Sequence, residues 1–109
     1  MTLDAEDTKI ITLARSARAR NGAAEGAAVR DETGRTYVAT EVSLPSLQLS
    51  AVQLAVAMAV TGGAEAIEAA ALVTDADDPG DRDLAAIEDL GHAILYVAGP
   101  DGELKGRYV

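Results

Sequence analysis

Apolar residues recur in residues 4–20 at Ile10, Leu13, Ala14 and Ala17, the three-and-four spacing of one helical face. Asn21-Gly22 supplies the stop for that helix. Residues 24–30 and 37–42 read as strands. Between them, Asp31-Glu32-Thr33-Gly34-Arg35 has hairpin-turn chemistry, with Gly34 available for positive φ. Pro45-Ser46 is expected to open a second helix that runs to about Thr61, where Gly62-Gly63 ends it. A short strand follows at 69–74, then a helix at 81–90 closed by Gly91. A strand at 93–98, a turn at Gly99-Pro100-Asp101-Gly102 and an edge strand at 103–108 complete the chain. The predicted order is α-β-β-α-β-α-β-β. No repeat or linker interrupts it, so residues 1–109 read as a single α/β domain.

The second helix carries the strongest pattern. Leu47, Leu49, Val52, Leu54, Val56, Met58 and Val60 fall on all its sides, and a helix apolar all round is covered all round. One sheet covers only one face. The other cover is either a helix of the same chain or a second copy. The second copy is the favoured reading, and it predicts a dimer or tetramer with Leu54, Val56 or Met58 at the contact. Ala51, Ala55 and Ala59 would let helices approach closely there.

Composition supports this expectation. The chain is 49% hydrophobic, but alanine dominates and the aromatics are only Tyr37, Tyr96 and Tyr108. Small side chains bury little area at ~25 cal/mol per Å², so burial between subunits would help. The net charge is −9, the wrong field for nucleic acid, which needs phosphate neutralisation. Lys9, Arg15, Arg18 and Arg20 are a local exception, read as a solvated helix face with charge favourable at its C-terminus or as a docking patch for an anionic partner; separately, an unidentified protein partner stays open. The chain has no cysteine, hence no disulfide or thiolate ligand. Its first residues carry no apolar signal core, and its longest apolar run is too short for a membrane span. A cytoplasmic protein without membrane association is expected.

Few residues carry candidate chemistry. Asp75, Asp77, Asp78, Asp81 and Asp83 form an acidic run, read either as a solvated loop with an Asp helix cap or as a weak divalent-cation site. His92 is the only histidine and follows a helix-ending glycine. It completes no Ser-His-Asp set. Gly62-Gly63 lacks the context of a phosphate loop.

Several phrases, in order, resemble those of the cytidine deaminase family. Asn21-Gly22-Ala23-Ala24-Glu25-Gly26-Ala27-Ala28-Val29 is similar to a family phrase ending Phe-x-Val-Gly-Ala-Ala. Residues 31–37 resemble its Thr-Glu-Asp-Gly-Arg-x-Tyr hairpin. Ser50-Ala51-Val52, continuing to Gly62-Gly63, resembles its Cys-Ala-Glu helix with a glycine end, and Val97-Ala98-Gly99-Pro100-Asp101-Gly102 its late turn. The resemblance implies a three-layer α/β/α fold with a mixed five-stranded sheet. It also implies where the chemistry would sit. The first zinc ligand falls on Ser50, the catalytic Glu on Val52, and the two further Cys ligands on Gly80 and Asp83. Ser is a poor neutral ligand, Gly has no ligand atom, Val cannot carry a proton, and only Asp83 could touch a metal. Zinc takes bound water from pKa ~15.7 to ~7, roughly 12 kcal/mol of activation at ~1.36 kcal/mol per unit. Catalysis and zinc, or any other cofactor, are therefore not expected. The family's ring-stacking Phe falls on Ala23, and its ribose-binding Asn-x-Glu on Glu41-Val42-Ser43. That leaves a weak ligand pocket at Ala23, Glu41 and Ser43. The expected function is an oligomeric structural or interaction protein, with nucleoside or nucleotide binding as the alternative and residual deaminase activity third.

Overall fold

The computed structural model describes residues 3–109. Helix α1 (Ala5–Asn21) starts at Asp4, whose side chain accepts the Asp7 N–H at 2.8 Å. It ends at Gly22 in the left-handed region, φ 61°, where a Cβ would be strained. Strands β1 (Glu25–Asp31) and β2 (Thr36–Thr40) form the predicted hairpin, with Gly34 at φ 91°.

The next segment corrects the sequence reading. Pro45-Ser46 does not open a helix. It is the turn of a second hairpin, β3 (Val42–Leu44) and β4 (Leu47–Leu49). Alternation explains this: Val42 pairs with Leu49 and Leu44 with Leu47, while proline pre-sets the turn and cannot extend the ladder. Helix α2 (Ala51–Thr61) begins only after Ser50, which caps it. Strand β5 (Ile67–Thr74), helix α3 (Asp81–Glu88), and strands β6 (Ile94–Ala98) and β7 (Leu104–Tyr108) follow as read.

The main sheet has five strands in the order β2-β1-β5-β6-β7. It is mixed: β5 and β6 run parallel, and the other neighbours antiparallel. Alternation along the strands gives it two apolar faces. Ile10, Ile11 and Ala14 of α1 pack with Ala28, Ala71, Val73 and Tyr96 on one face. Val52, Ala55, Val56 and Ala59 of α2, with Ile87 of α3, pack with Val29, Leu72, Leu95 and Val97 on the other. The fold is thus the three-layer α/β/α arrangement. Ala51, Ala55 and Ala59, read as a face for another helix, are fully buried in this second core.

Small residues set the layer spacing. A Cβ on Gly26 would lie 2.0 Å from the Ala14 carbonyl oxygen, so α1 rests directly on β1 backbone. A buried polar cluster fixes α1 as well. Asp7 accepts from Arg30 Nη2 at 3.0 Å and from the Tyr96 hydroxyl at 2.7 Å. Among the described residues no helix is long and apolar enough to cross a membrane.

Candidate functional site

The starts of α2 and α3 meet at one hydrogen bond. Ser50 is buried, and its Oγ accepts the Gln53 N–H at 3.1 Å while Gln53 Oε1 accepts the Ser50 N–H at 3.0 Å. This reciprocal cap satisfies two otherwise free groups. The Ser50 hydroxyl then donates to Asp83 Oδ1. Asp83 is 3% exposed, on the first turn of α3, and its Oδ2 accepts the Gly80 N–H at 3.3 Å. The structure therefore brings Ser50, Gly80 and Asp83 together. Val52, on the first turn of α2, is fully buried in the core.

A cavity of about 390 Å³ opens beside this latch. Its walls are the start of β1, the β3–β4 hairpin, the end of β5, and Arg82. Glu41 and Ser43 line it. Ala23 does not, and its neighbour Ala24 does. Glu41 is held rigidly: its two oxygens accept the N–H groups of Ala24 and Glu25, both at 2.9 Å. Burial pushes its carboxyl pKa up, but these backbone donors outweigh that and leave it below the ordinary value.

The sequence reading missed Glu25, which also lines the cavity. Burial raises its pKa, and the neighbouring Asp83 and Glu41 charges add to the rise. The Thr74 hydroxyl and Arg82 offset part of it. One signal was available in the sequence. Glu25 stands directly before the uncharged run Gly26-Ala27-Ala28-Val29, where the resembled phrase has Val, while Val52 falls where that family has Glu.

The remaining candidates scatter. Asp75 pairs with Arg18 at 3.2 Å, and Asp78 accepts the Tyr108 hydroxyl at 2.9 Å. The cap of α3 is Gly80, and the expected Asp cap is replaced by Asp83 reaching back from within the helix. Among the described residues no group of three or more His, Cys, Asp or Glu side chains is placed to hold a metal ion. His92 is exposed. Arg15 donates to the Pro100 carbonyl at 2.9 Å and Arg18 to the Ala24 carbonyl at 3.0 Å, so half of the basic stretch ties α1 to its own chain.

On α2, Val56 is buried in the chain's own core, contrary to its reading as a contact residue. Leu54 is half-buried. Met58 and Val60 are 38% and 50% exposed, so the helix is not covered all round by its own chain.

Comparison with known proteins adds the lineage. The family model described as "Cytidine deaminase-like" matches residues 3–102. No curated protein matches the chain. Among solved structures, the chain is similar to a cytidine deaminase from Burkholderia pseudomallei, with a TM-score of 0.79 at 19% identity over 92% of this chain and 89% of that one. It is also similar to the cytidine deaminase from Mycobacterium leprae, with a TM-score of 0.75 at 21% identity over 96% and 93%. A glutamate-to-glutamine variant of the Mycobacterium tuberculosis enzyme gives 0.70 at 22% over 86% and 85%. At these identities the structural likeness speaks to the fold.

Proposed function

The chain belongs to the cytidine deaminase-like family, and from that premise we propose that it is a non-catalytic member acting as a homo-oligomeric structural or interaction protein. The observation that carries this reading is the Ser50–Asp83 hydrogen bond beside Gly80. Where the family resemblance puts three zinc ligands, this chain has one hydroxyl, one carboxylate and a residue without a side chain. The hydroxyl and the carboxylate are spent on each other. This donor set does not fit zinc, which takes three or four thiolate, imidazole or carboxylate ligands. Val52 offers no proton at the position of the general acid and base. The interaction role is supported by Met58 and Val60, which leave apolar surface of α2 open to solvent. A dimer or tetramer built on that face is the proposed assembly. Purified protein dialysed against zinc-free buffer should contain no stoichiometric zinc by elemental analysis. One zinc per chain would overturn the reading.

A second reading rests on the cavity. At about 390 Å³, with Glu41 and Ser43 in its wall, it is within the size range of small-molecule sites. Its occupant would be a nucleoside or another small polar molecule. A thermal-shift series tests this, since a ligand at a hundred times its Kd stabilises by about 2.7 kcal/mol. No shift with any nucleoside or small polar compound would discard it.

A further inference from the structure

We propose that the cavity at the head of α2 and α3 selects a small organic cation, a guanidinium or primary ammonium head, through the Glu25 carboxylate. This rests on the second reading above, that the cavity holds a ligand.

Charge comes first. Glu25, Glu41 and Asp75 line the cavity against one cation, Arg82, and the buried Asp83 carboxylate is close enough to act on Glu25. A phosphorylated ligand would meet three carboxylates. A cation would meet the field these groups create.

Oxygen accounting then separates Glu25 from the other acids. Glu41 uses both oxygens on backbone N–H groups. Asp83 uses both on Ser50 and Gly80. Asp75 is paired with Arg18. Glu25 accepts from the Thr74 hydroxyl and takes part in no salt bridge among the described residues. An ionised carboxylate has about four acceptor positions, so Glu25 keeps capacity for a donor entering the cavity. A planar guanidinium fits such a carboxylate with two parallel N–H bonds. Ser43 and Gln48, on the hairpin wall, supply neutral partners for its remaining edge.

The fold gains little from Glu25. It is half-buried, burial and the Asp83 and Glu41 charges disfavour its ionised form, and it makes no salt bridge among the described residues, an arrangement that opposes stability. A group placed against stability in a concave site points to binding.

The test is a titration of the full chain with methylguanidinium chloride, followed by backbone amide NMR shifts, with sodium chloride at equal ionic strength as the blank. Cytidine and cytidine 5′-monophosphate are the competing probes. Methylguanidinium should shift the amides of Ala24, Glu25, Val42 and Ser43, and the nucleotide should not. Glu25→Gln should weaken cation binding by about tenfold, the loss of one charge-assisted contact. The same variant should melt at or above the wild-type temperature at pH 7, which excludes misfolding as the cause. Shifts that spread over the acidic surface, or that persist unchanged in Glu25→Gln, overturn the proposal, as does tighter binding of the nucleotide. Binding of cytidine without the cation also overturns it, but leaves the second reading standing. Silence of every probe overturns both.

Discussion

At the scale of single residues, two buried carboxylates tie local structure together. Asp83 takes the Ser50 hydroxyl and the Gly80 N–H, so it joins two helix starts. Ser50→Ala removes a helix cap, about 1 kcal/mol, and strips a buried carboxylate of a donor, about 1–3 kcal/mol more. The variant should unfold at lower denaturant concentration by roughly that sum. A double-mutant cycle with Asp83→Asn should show coupling above about 0.5 kcal/mol, and additive losses would mean that the latch is not an energetic unit. Asp31 is the second. It is fully buried and accepts from the Thr33 N–H at 2.9 Å, the Thr33 hydroxyl at 2.7 Å, the Arg35 N–H at 3.0 Å and the Tyr37 hydroxyl at 2.9 Å. Burial raises its pKa, but these donors overcome it and bring the carboxyl from 3.8 down to about 2. The folded chain therefore binds fewer protons here than the unfolded chain between those values. The stabilisation is complete above the unfolded value and is lost as pH falls from 3.8 through about 2. Denaturant midpoints between pH 2 and 6 should show this fall, and Asp31→Asn should flatten it.

At the scale of elements, the sequence is clearest where a hydrophobic period and a stop signal agree. Helix α1 ends on Gly22 and the first hairpin turns at Gly34, both as read. The pattern misled at 42–49, because Leu and Val suit a helix and a hairpin alike and only pairing decides. A helix starting at Pro45 would place Leu47 and Leu49 on α2, and so overstates how far that helix is apolar all round. The shorter α2 turns Val52, Ala55, Val56 and Ala59 inward and leaves Met58 and Val60 outward. The site was legible to the same degree. Ser50, Gly80 and Asp83 are legible from the resembled phrases, and the structure places them together. Glu25 and the Ser50–Asp83 bond are not legible there, because they depend on contacts between distant segments. A prediction belongs to α2. In a lone chain, Met58→Asp places a charge at a position already 38% exposed and should fold normally. In an assembly built on this face it buries an unpaired charge, a cost of about 3–5 kcal/mol. Light scattering at micromolar concentration should give a dimer or larger for the wild type and a monomer for Met58→Asp. Equal masses for both would remove α2 from the interface.

At the scale of the whole molecule, the mixed sheet with one helix on one face and two on the other is the shared inheritance of the family. At the starts of α2 and α3 this framework encloses a hydrogen-bonded latch and an acid-lined cavity. The apolar surface that Met58 and Val60 leave on α2 is the proposed contact. Conversion of cytidine to uridine with zinc in excess measures most directly whether the chain retains deaminase chemistry. If the proposed non-catalytic reading holds, product formation should not rise above the buffer blank, because Ser50, Val52, Gly80 and Asp83 would supply neither a hydroxide generator nor a proton carrier. Zinc-dependent turnover that survives repurification and disappears in Asp83→Ala would contradict it.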